Sequence, residues 1–410
     1  MRSGGSTLRS IAPSVFLPAL VFEIGNGAVA PVVALTALDL GASAGTAALV
    51  LALLGVGQVL GDVPAARLAD RLGDRRAMLL ATGVAAACFI TCAAARSLVE
   101  PGARSGARGR RHSTFYLARQ SYLTEVAPLH LRARAMSTLG GSHRIGLFAG
   151  PFLGAAAIGL VGMRGAYAVA VLACLAVALL LVTVPDAERP GDRPVAVRGG
   201  TTSWRMLRDH RRLFATLGLA VLAVGAVRAA RQTVLPLWAE HLGLDAGRTS
   251  LVFGIASAVD MALFYPAGLV MDRAGRLAVA VPSMLVLGGA MALLPLTHGV
   301  VALTLVAMLM SLGNGIGSGI MMTLGADTAP ADGRSRFLAV WRLFGDAGGA
   351  LGPLVVSVVA LAASLAAGVV AIGSVGLLAA AGLARWVPRW SAYATPSAVR
   401  AEHARIAARR

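Results

Sequence analysis

Apolar runs of about 20 residues recur along the whole of this chain, and they limit the folds that it can adopt. An α-helix of about 20 apolar residues is long enough to cross the hydrocarbon core of a bilayer. Hydrophobic residues make up 57% of the 410 residues and charged residues only 14%, which leaves too little polar surface for a soluble protein. The sequence therefore predicts an all-α membrane protein with twelve transmembrane helices.

The apolar runs fall into two sets of six. The first set lies at about 11–38, 44–66, 77–98, a fourth run ending near 126, 137–161 and 165–185. The second set lies at about 212–240, 247–271, 277–297, 300–326, 337–364 and 367–387. A polar, arginine-rich segment separates them and indicates a linker. The predicted domains are an N-terminal bundle, a cytoplasmic linker, a C-terminal bundle and a basic tail, at 1–186, 187–211, 212–388 and 389–410.

A short charged loop occurs twice, and its two copies are 202 residues apart. The same offset relates Gly150-Pro151 to Gly352-Pro353 without a gap. This agreement indicates two pseudo-repeats in parallel orientation, an arrangement in which two halves of a transporter rock about a site near the membrane midplane.

The net charge of +18 at pH 7 comes from arginines that lie mostly in turns between apolar runs. Arginines in such turns set the orientation of a protein in the membrane. No basic helical face or aromatic platform accompanies them, so nucleic-acid binding is not expected. In the predicted topology, the arginine-rich segments all fall on the same side of the membrane. Both termini are therefore predicted to be cytoplasmic, in a multi-pass protein of the plasma (inner) membrane.

Neither a metal site nor an enzyme is expected from the sequence. The three cysteines lie in apolar runs without the spacing of metal ligands, and no nucleophile–base set stands out. The stretch 313–319 has glycines spaced as in a nucleotide-binding fingerprint, but it lies inside an apolar run with no strand before it. Close helix packing is the better interpretation, and no cofactor is predicted.

Two motifs, one of which occurs twice, give the chain a family resemblance. The second charged loop contains Gly268, Asp272, Arg273, Gly275 and Arg276. The first copy keeps Asp70, Arg71, Gly73 and Arg75, but has Ala66 and Asp74 in place of a glycine and an arginine. The fifth apolar run has the pattern Gly-x-x-x-Gly-Pro-x-x-Gly, formed by Gly146, Gly150, Pro151 and Gly154. On these residues the chain resembles the major facilitator superfamily over essentially its whole length, and the last motif resembles that of drug:proton antiporters.

The resemblance implies a secondary active transporter that works by alternating access. The expected activity is proton-coupled efflux of a small amphipathic or drug-like molecule, by a monomer whose partners are its substrate, protons and the lipid bilayer. An uptake symporter is an alternative that the same residues allow.

The charged loops are predicted to gate the transport cycle. A carboxylate at Asp70 or Asp272 can meet the positive N-terminus of a facing helix, and the neighbouring arginines can bond carboxylates or terminal carbonyls. The loop that contains Asp272 is expected to make the closer contact with its partner helix. In the other loop, Ala66 replaces the motif glycine and adds one methyl group at the contact. The alternative is that these charges only retain the loops in the cytoplasm.

Ionisable residues within the apolar runs are candidate site residues, because charge is costly inside a bilayer. They are Glu23, Arg119, Arg144, Arg228, Arg231, Asp260 and Asp346. We expect Glu23 to be the protonatable coupling residue, with Arg228 or Arg231 as its partner, and Asp260 as the second candidate acid. A static structural pair is the alternative. The Arg-Gln pairs at Arg119 and Arg231 suit a substrate with acceptor groups, although Arg119 can equally anchor a helix end.

The fourth helix is anomalous. The stretch 99–113 is polar and rich in arginine, whereas the repeat-equivalent stretch 301–315 is an ordinary apolar run. Each arginine at the centre of a bilayer costs about 2.5–3.5 kcal/mol. A compensated frameshift explains a loss of apolarity at unchanged length, and resequencing the coding DNA tests it. If the stretch is real, helix 4 is short, and a non-transporting sensor or a defective relative becomes the alternative function.

Overall fold

The computed structural model shows an all-helical protein, and it describes residues 16–53, 55–57, 72, 74–94, 132–184, 203–330 and 333–408. Within this part of the chain, ten helices are long and apolar enough to cross a membrane, and a shorter apolar helix covers Ala44–Gly57. The predicted all-α membrane fold is confirmed, and the number of spans agrees approximately with twelve. The anomalous stretch 99–113 and the fourth helix lie outside the described residues.

The helices follow the apolar runs closely, since each run is bounded by polar or glycine-rich turns. In chain order they are α1 (Leu17–Val29), α2 (Val32–Asp39), α3 (Ala44–Gly57), α4 (Asp74–Ala93), α5 (Arg132–Val161), α6 (Arg164–Thr183), α7 (Ser203–Asp209), α8 (Leu219–His241), α9 (Ala246–Ala274), α10 (Leu277–Leu293), α11 (Val300–Ile316), α12 (Ile320–Thr328), α13 (Arg334–Ala362), α14 (Leu365–Trp390) and α15 (Pro396–Ala408). A π-helical turn, Phe214–Gly218, leads into α8.

Four segments differ from the sequence expectation. The run 11–38 forms two helices, α1 and α2, with a turn at Ala30 and Pro31 between them. The run 300–326 forms two helices, α11 and α12, because Gly319 adopts a left-handed conformation with φ of 79° between them. Glycine reaches this region without the steric cost of a Cβ atom. The end of the predicted linker is helical from Ser203, and the predicted tail contains α15.

The chain forms two compact units. One comprises residues 1–42, 53–196 and 244–254, and the other comprises 43–52, 197–243 and 255–410.

The two short segments, 43–52 and 244–254, occupy nearly equivalent positions of the repeat. Each packs within its unit. Ser357 donates a hydrogen bond of 2.7 Å from Oγ to the Gly45 carbonyl oxygen, and the Phe152 ring lies 2.7 Å from where a Cβ of Gly254 would be. Each unit therefore contains the start of a helix from the other half of the sequence.

The glycines of the fifth-helix motif bring α5 against α1 in the first unit. A Cβ atom on Gly150 would lie 2.5 Å from the Ile24 carbonyl oxygen and 2.7 Å from the Ala28 nitrogen. A Cβ on Gly154 would lie 2.9 Å from the Ala28 carbonyl oxygen. Only a residue without a side chain permits this backbone contact, which is how helices commonly pack in membranes.

The second unit repeats the contact between α8 and α13. Gly348 and Gly352, the repeat equivalents of Gly146 and Gly150, stand against the backbone carbonyls of Leu222 and Ala226. The duplication therefore preserves a packing surface and not only a loop motif.

We predict opposite stability effects for two glycine-to-alanine substitutions in α5. Gly150→Ala should destabilise the protein by about 1–3 kcal/mol, because the new methyl group overpacks the α1 backbone. Gly159→Ala is the matched control, since among the described residues nothing lies within 4 Å of its Cβ position. The control should be neutral or stabilise by about 0.5–1 kcal/mol through helix propensity. Thermal unfolding of the purified protein in detergent measures both, and a Gly150→Ala variant as stable as its control would contradict the packing argument.

Candidate functional site

A buried carboxylate on α1 forms the polar centre of the first unit. The Glu23 side chain is only 1% exposed, and its Oε1 lies 3.1 Å from Nδ1 of His143 on α5. Its Oε2 accepts a hydrogen bond of 3.3 Å from Nδ2 of Asn26, one turn further along α1. A Cβ on Gly146 would lie 2.5 Å from the Glu23 Cβ, so the glycine lets α5 come close enough to place His143 beside the carboxylate.

His143 was not identified from the sequence. The available signal was a histidine inside an apolar run, one helical turn before Gly146 of the fifth-helix motif. Its side chain is 34% exposed, so the Glu23–His143 pair has one buried and one accessible member. The pair has no counterpart in the second unit, where the repeat-equivalent residues are Gly225 and Gly345, packed backbone to backbone.

Two arginines on α8 form the polar centre of the second unit together with α11. Arg228 donates from Nε to Oδ1 of Asn314 at 2.8 Å, and Arg231 donates from Nη1 to Oγ of Ser311 at 2.6 Å. Asn314 in turn donates from Nδ2 to Oδ1 of Asp260 on α9 at 3.0 Å. The structure thus brings together Arg228, Arg231 and Asp260, three residues that the sequence had marked separately.

The break after α11 contributes backbone acceptors to this cluster. The last carbonyls of a helix have no intrahelical partner and carry partial negative charge. Arg228 donates from Nη2 to the Asn314 carbonyl at 3.5 Å and from Nη1 to the Gly317 carbonyl at 3.3 Å. The glycines of this stretch also pack closely, as predicted: a Cβ on Gly313 would lie 2.6 Å from the Leu287 nitrogen.

The other predicted site residues of the spans lie on α5 and α13 or outside the described part of the chain. Asp346 on α13 lies 3.4 Å from Nε of Arg342, one turn away on the same helix. Arg144 is half-buried on α5 next to His143. Arg119 lies outside the described residues. Because the contacts of Glu23 and of the α8 arginines described above lie within their own units, the predicted pairing of Glu23 with Arg228 or Arg231 stays a prediction.

The second charged loop, between α9 and α10, centres on a buried ion pair. Nε and Nη2 of Arg276 donate to Oδ2 and Oδ1 of Asp327 at 2.9 and 3.2 Å, and the two side chains are 10% and 8% exposed. Ser391 donates to the same Asp327 carboxylate at 2.7 Å, and the Arg276 guanidinium lies 5.0 Å from the centre of the Tyr393 ring. Asp272 is 75% exposed, with Oδ1 3.6 Å from Nη1 of Arg276.

The chain after α14 holds this loop in place. Gly275 has a φ of 87°, and a Cβ there would lie 2.8 Å from the Ala394 carbonyl oxygen. The Arg276 nitrogen donates to the Tyr393 carbonyl and the Leu277 nitrogen to the Ala394 carbonyl, at 3.0 and 3.1 Å. Gly275 therefore makes a tight turn against the chain that follows α14. Gly268, by contrast, has no atom of the described residues within 4 Å of its Cβ position.

The first charged loop is described only in part. Asp70, Arg71 and Gly73 lie outside the described residues. Arg75 donates to the carbonyls of Leu181, Val182 and Val184, at the C-terminus of α6. A cation at this end satisfies unpaired carbonyls and is favoured by the helix dipole.

The comparisons with known proteins agree with this architecture. The family model of the Major Facilitator Superfamily matches residues 15–353 and 232–397. The chain belongs to the Major Facilitator Superfamily. It is therefore a multi-pass membrane protein of a family of transporters that move small molecules, rather than a family of enzymes. A comparison with curated proteins gave no match.

Several solved structures share the fold. A D-xylose–proton symporter is 17% identical, with a TM-score of 0.70 over 93% of this chain and 98% of that one. A POT family transporter in complex with a thioalcohol-conjugated peptide is 12% identical, with a TM-score of 0.74 over 93% and 96%. The nucleoside transporter NupG is 14% identical, with a TM-score of 0.71 over 93% and 100%. At these identities the similarity establishes the fold alone.

We predict that the Arg276–Asp327 pair stabilises the second unit far more than Asp272 does. Asp327→Asn should lower the stability by about 3 kcal/mol, because it leaves the Arg276 charge buried without its counter-charge. Asp272→Asn should cost less than about 0.5 kcal/mol, since exposed ion pairs contribute little. Thermal unfolding of both variants at equal protein concentration provides the measurement, and equal losses would show that the loop is not organised by Asp327.

Proposed function

We propose that this protein is a proton-coupled secondary transporter that works by alternating access and exports a small amphipathic or drug-like molecule. The observation that carries the proposal is the Glu23 carboxylate, which is buried in a membrane-spanning helix with His143 beside it. Ionisable groups at such depth are rare and mark proton or substrate pathways.

The chemistry of the pair suits proton transfer. Imidazole is the side chain whose ordinary titration range lies near neutral pH, so it can take up and release protons under physiological conditions. Nδ1 of His143 lies 3.1 Å from the Glu23 carboxylate but makes no aligned hydrogen bond within the described residues, so the imidazole ring has to turn before a proton is transferred. A proton that enters at the imidazole can then pass to the buried carboxylate, whose charge it removes.

The direction of transport is proposed from the fifth-helix motif, which resembles that of drug:proton antiporters. The motif also has a physical link to the coupling site, because Gly146 sets the distance between α5 and Glu23. Uptake by symport is the second candidate, since one structural neighbour is a D-xylose–proton symporter.

The charged loops and the topology complete the proposal. Asp272 and Arg273 are both exposed at the end of α9, where they are accessible for the gating contact expected from the sequence. We propose a monomer in the plasma (inner) membrane with both termini in the cytoplasm, as the distribution of arginine favours. Cysteine labelling at the two ends of the chain, from outside intact cells, tests this orientation.

We predict that Glu23→Gln abolishes coupling between protons and substrate. In everted vesicles that contain the wild-type protein and hold an acidic interior, adding an exported compound should dissipate the pH gradient, as reported by acridine orange. In Glu23→Gln the response to a panel of amphipathic drugs should fall at least tenfold, because glutamine cannot exchange a proton. His143→Gln should shift the pH dependence of the response.

The matched control is Glu240→Gln, which removes an exposed carboxylate at the end of α8. It should keep the wild-type response. A Glu23→Gln variant that still dissipates the gradient would remove Glu23 from the mechanism. A compound that enters right-side-out vesicles together with protons would establish symport instead of export. Absence of any proton-linked flux would favour the non-transporting alternative.

A further inference from the structure

We infer that the C-terminal end of α14 binds the headgroup of an anionic phospholipid through a cluster of exposed arginines. Two members of this arginine cluster lie on α14 and two lie before α8. They are Arg211, Arg212, Arg385 and Arg389. The inference names a lipid partner of the protein and does not depend on the proposed transport mechanism.

A tryptophan near the end of α14 holds two of the arginines. The guanidinium carbons of Arg385 and Arg389 lie 5.1 and 5.0 Å from the centre of the Trp386 ring. Such cation–π contacts are favourable for a guanidinium group. Tryptophan at the end of a membrane-spanning helix is typical of the boundary between the hydrocarbon and the headgroups. The ring therefore holds two positive charges at the depth where lipid phosphates lie.

The charges of these two arginines are not balanced by the chain. Arg385 and Arg389 are four residues apart on one face of α14, and like charges at this spacing repel each other. Within the part of the chain that the structure describes, neither forms an ion pair with a carboxylate. The sequence has no acidic residue between Asp346 and Glu402. The helix dipole favours a cation only in the last turn, where Arg389 lies, so an anion from outside the chain is favoured at the pair.

Hydrogen bonds bring the second pair of arginines to the end of α14. Trp390 donates from Nε1 to Oγ of Thr216 at 3.2 Å, and Thr216 donates from the same oxygen to the Arg212 carbonyl at 2.6 Å. Arg212 and the arginine before it are both exposed. Asp209, the one acid of the segment 203–218, lies 3.9 Å from Nε of Arg208. Two segments of the same unit therefore present unbalanced positive charge on one surface.

The exposed face of α14 continues from the arginines into apolar side chains. Leu377 and Leu378 are 43% and 71% exposed. Leu378 precedes Arg385 by seven residues, which is about two helical turns or roughly 10 Å along the same face. Planar guanidinium groups match the oxygens of a phosphate, and the leucines below them can contact an acyl chain. This combination fits a phospholipid better than a soluble phosphate.

Native mass spectrometry of the purified full-length protein in detergent tests the inference, with dioleoyl phosphatidylglycerol and dioleoyl phosphatidylcholine as probes. The first phosphatidylglycerol should bind about tenfold more tightly than phosphatidylcholine, because nearby arginines attract an anionic headgroup. In Arg385→Gln/Arg389→Gln this preference should fall to about twofold or less. Arg385→Lys/Arg389→Lys keeps the charge without the planar fork and should retain part of the preference.

The matched control is Arg334→Gln/Arg400→Gln, which removes two exposed arginines of the same unit. Arg334 begins α13, and because α13 and α14 are consecutive spans, it lies on the same side of the membrane as the end of α14. The control should keep the wild-type preference. Phosphatidylglycerol should also raise the thermal unfolding midpoint of the wild type and the control, but not that of Arg385→Gln/Arg389→Gln.

Four outcomes overturn the inference. They are equal binding of the two lipids by the wild type, a preference that survives in Arg385→Gln/Arg389→Gln, and an equal loss of preference in the control, which would show that positive charge anywhere on this side is sufficient. The fourth is displacement of bound phosphatidylglycerol by glycerol phosphate at equal concentration, which would identify a site for soluble phosphates. Because the altered side chains are exposed, the unfolding midpoints without added lipid should stay close to that of the wild type.

Discussion

Backbone contact through glycine is the interaction on which the rest of this structure depends. Inside a bilayer the hydrophobic effect does not drive helices together, so close packing has to hold them. Gly150 and Gly154 provide that contact between α1 and α5, and Gly348 and Gly352 provide it between α8 and α13. The duplication of the chain thus preserves one packing solution, and the positions of the polar residues follow from it.

The two units use this shared surface differently. In the first, Glu23 and His143 lie side by side next to the glycine contacts of α1 and α5. In the second, the equivalent positions are glycines. The charged residues there are Arg228 and Arg231, which donate hydrogen bonds to acceptors at the C-terminal end of α11. An arginine at the centre of a bilayer costs about 2.5–3.5 kcal/mol, and the hydrogen bonds to acceptors of α11 offset part of that cost. The two halves of the duplicated chain therefore build their polar centres from different residues.

The sequence predicted the spans, the duplication, the family and most of the polar residues, because hydropathy, repeat spacing and motifs are local or periodic signals. It did not predict the partners. His143 faces Glu23 only because Gly146 lets α5 approach, a distance between helices that no single-chain pattern encodes. The break at Gly319 was missed for a related reason, since glycine in an apolar run indicates either close packing or a turn, and in this stretch Gly313 packs closely whereas Gly319 makes the turn.

The loop after α9 also has partners that the sequence did not predict, and these partners determine which part of the loop can move. The sequence predicted that Asp272 makes the main contact of the loop, whereas the buried ion pair is formed by Arg276 and Asp327. Ser391 donates a hydrogen bond to Asp327, and the Tyr393 ring packs against the Arg276 guanidinium. A buried pair is costly to break, so we expect the ends of α9 and α14 to move together with α12 as one rigid body. Rearrangement at this loop is then confined to its exposed part, Asp272 and Arg273, which the rigid part holds in position. Under the proposed gating role, the buried pair would hold the loop in place, and the exposed residues would be the part that makes and breaks contacts during transport.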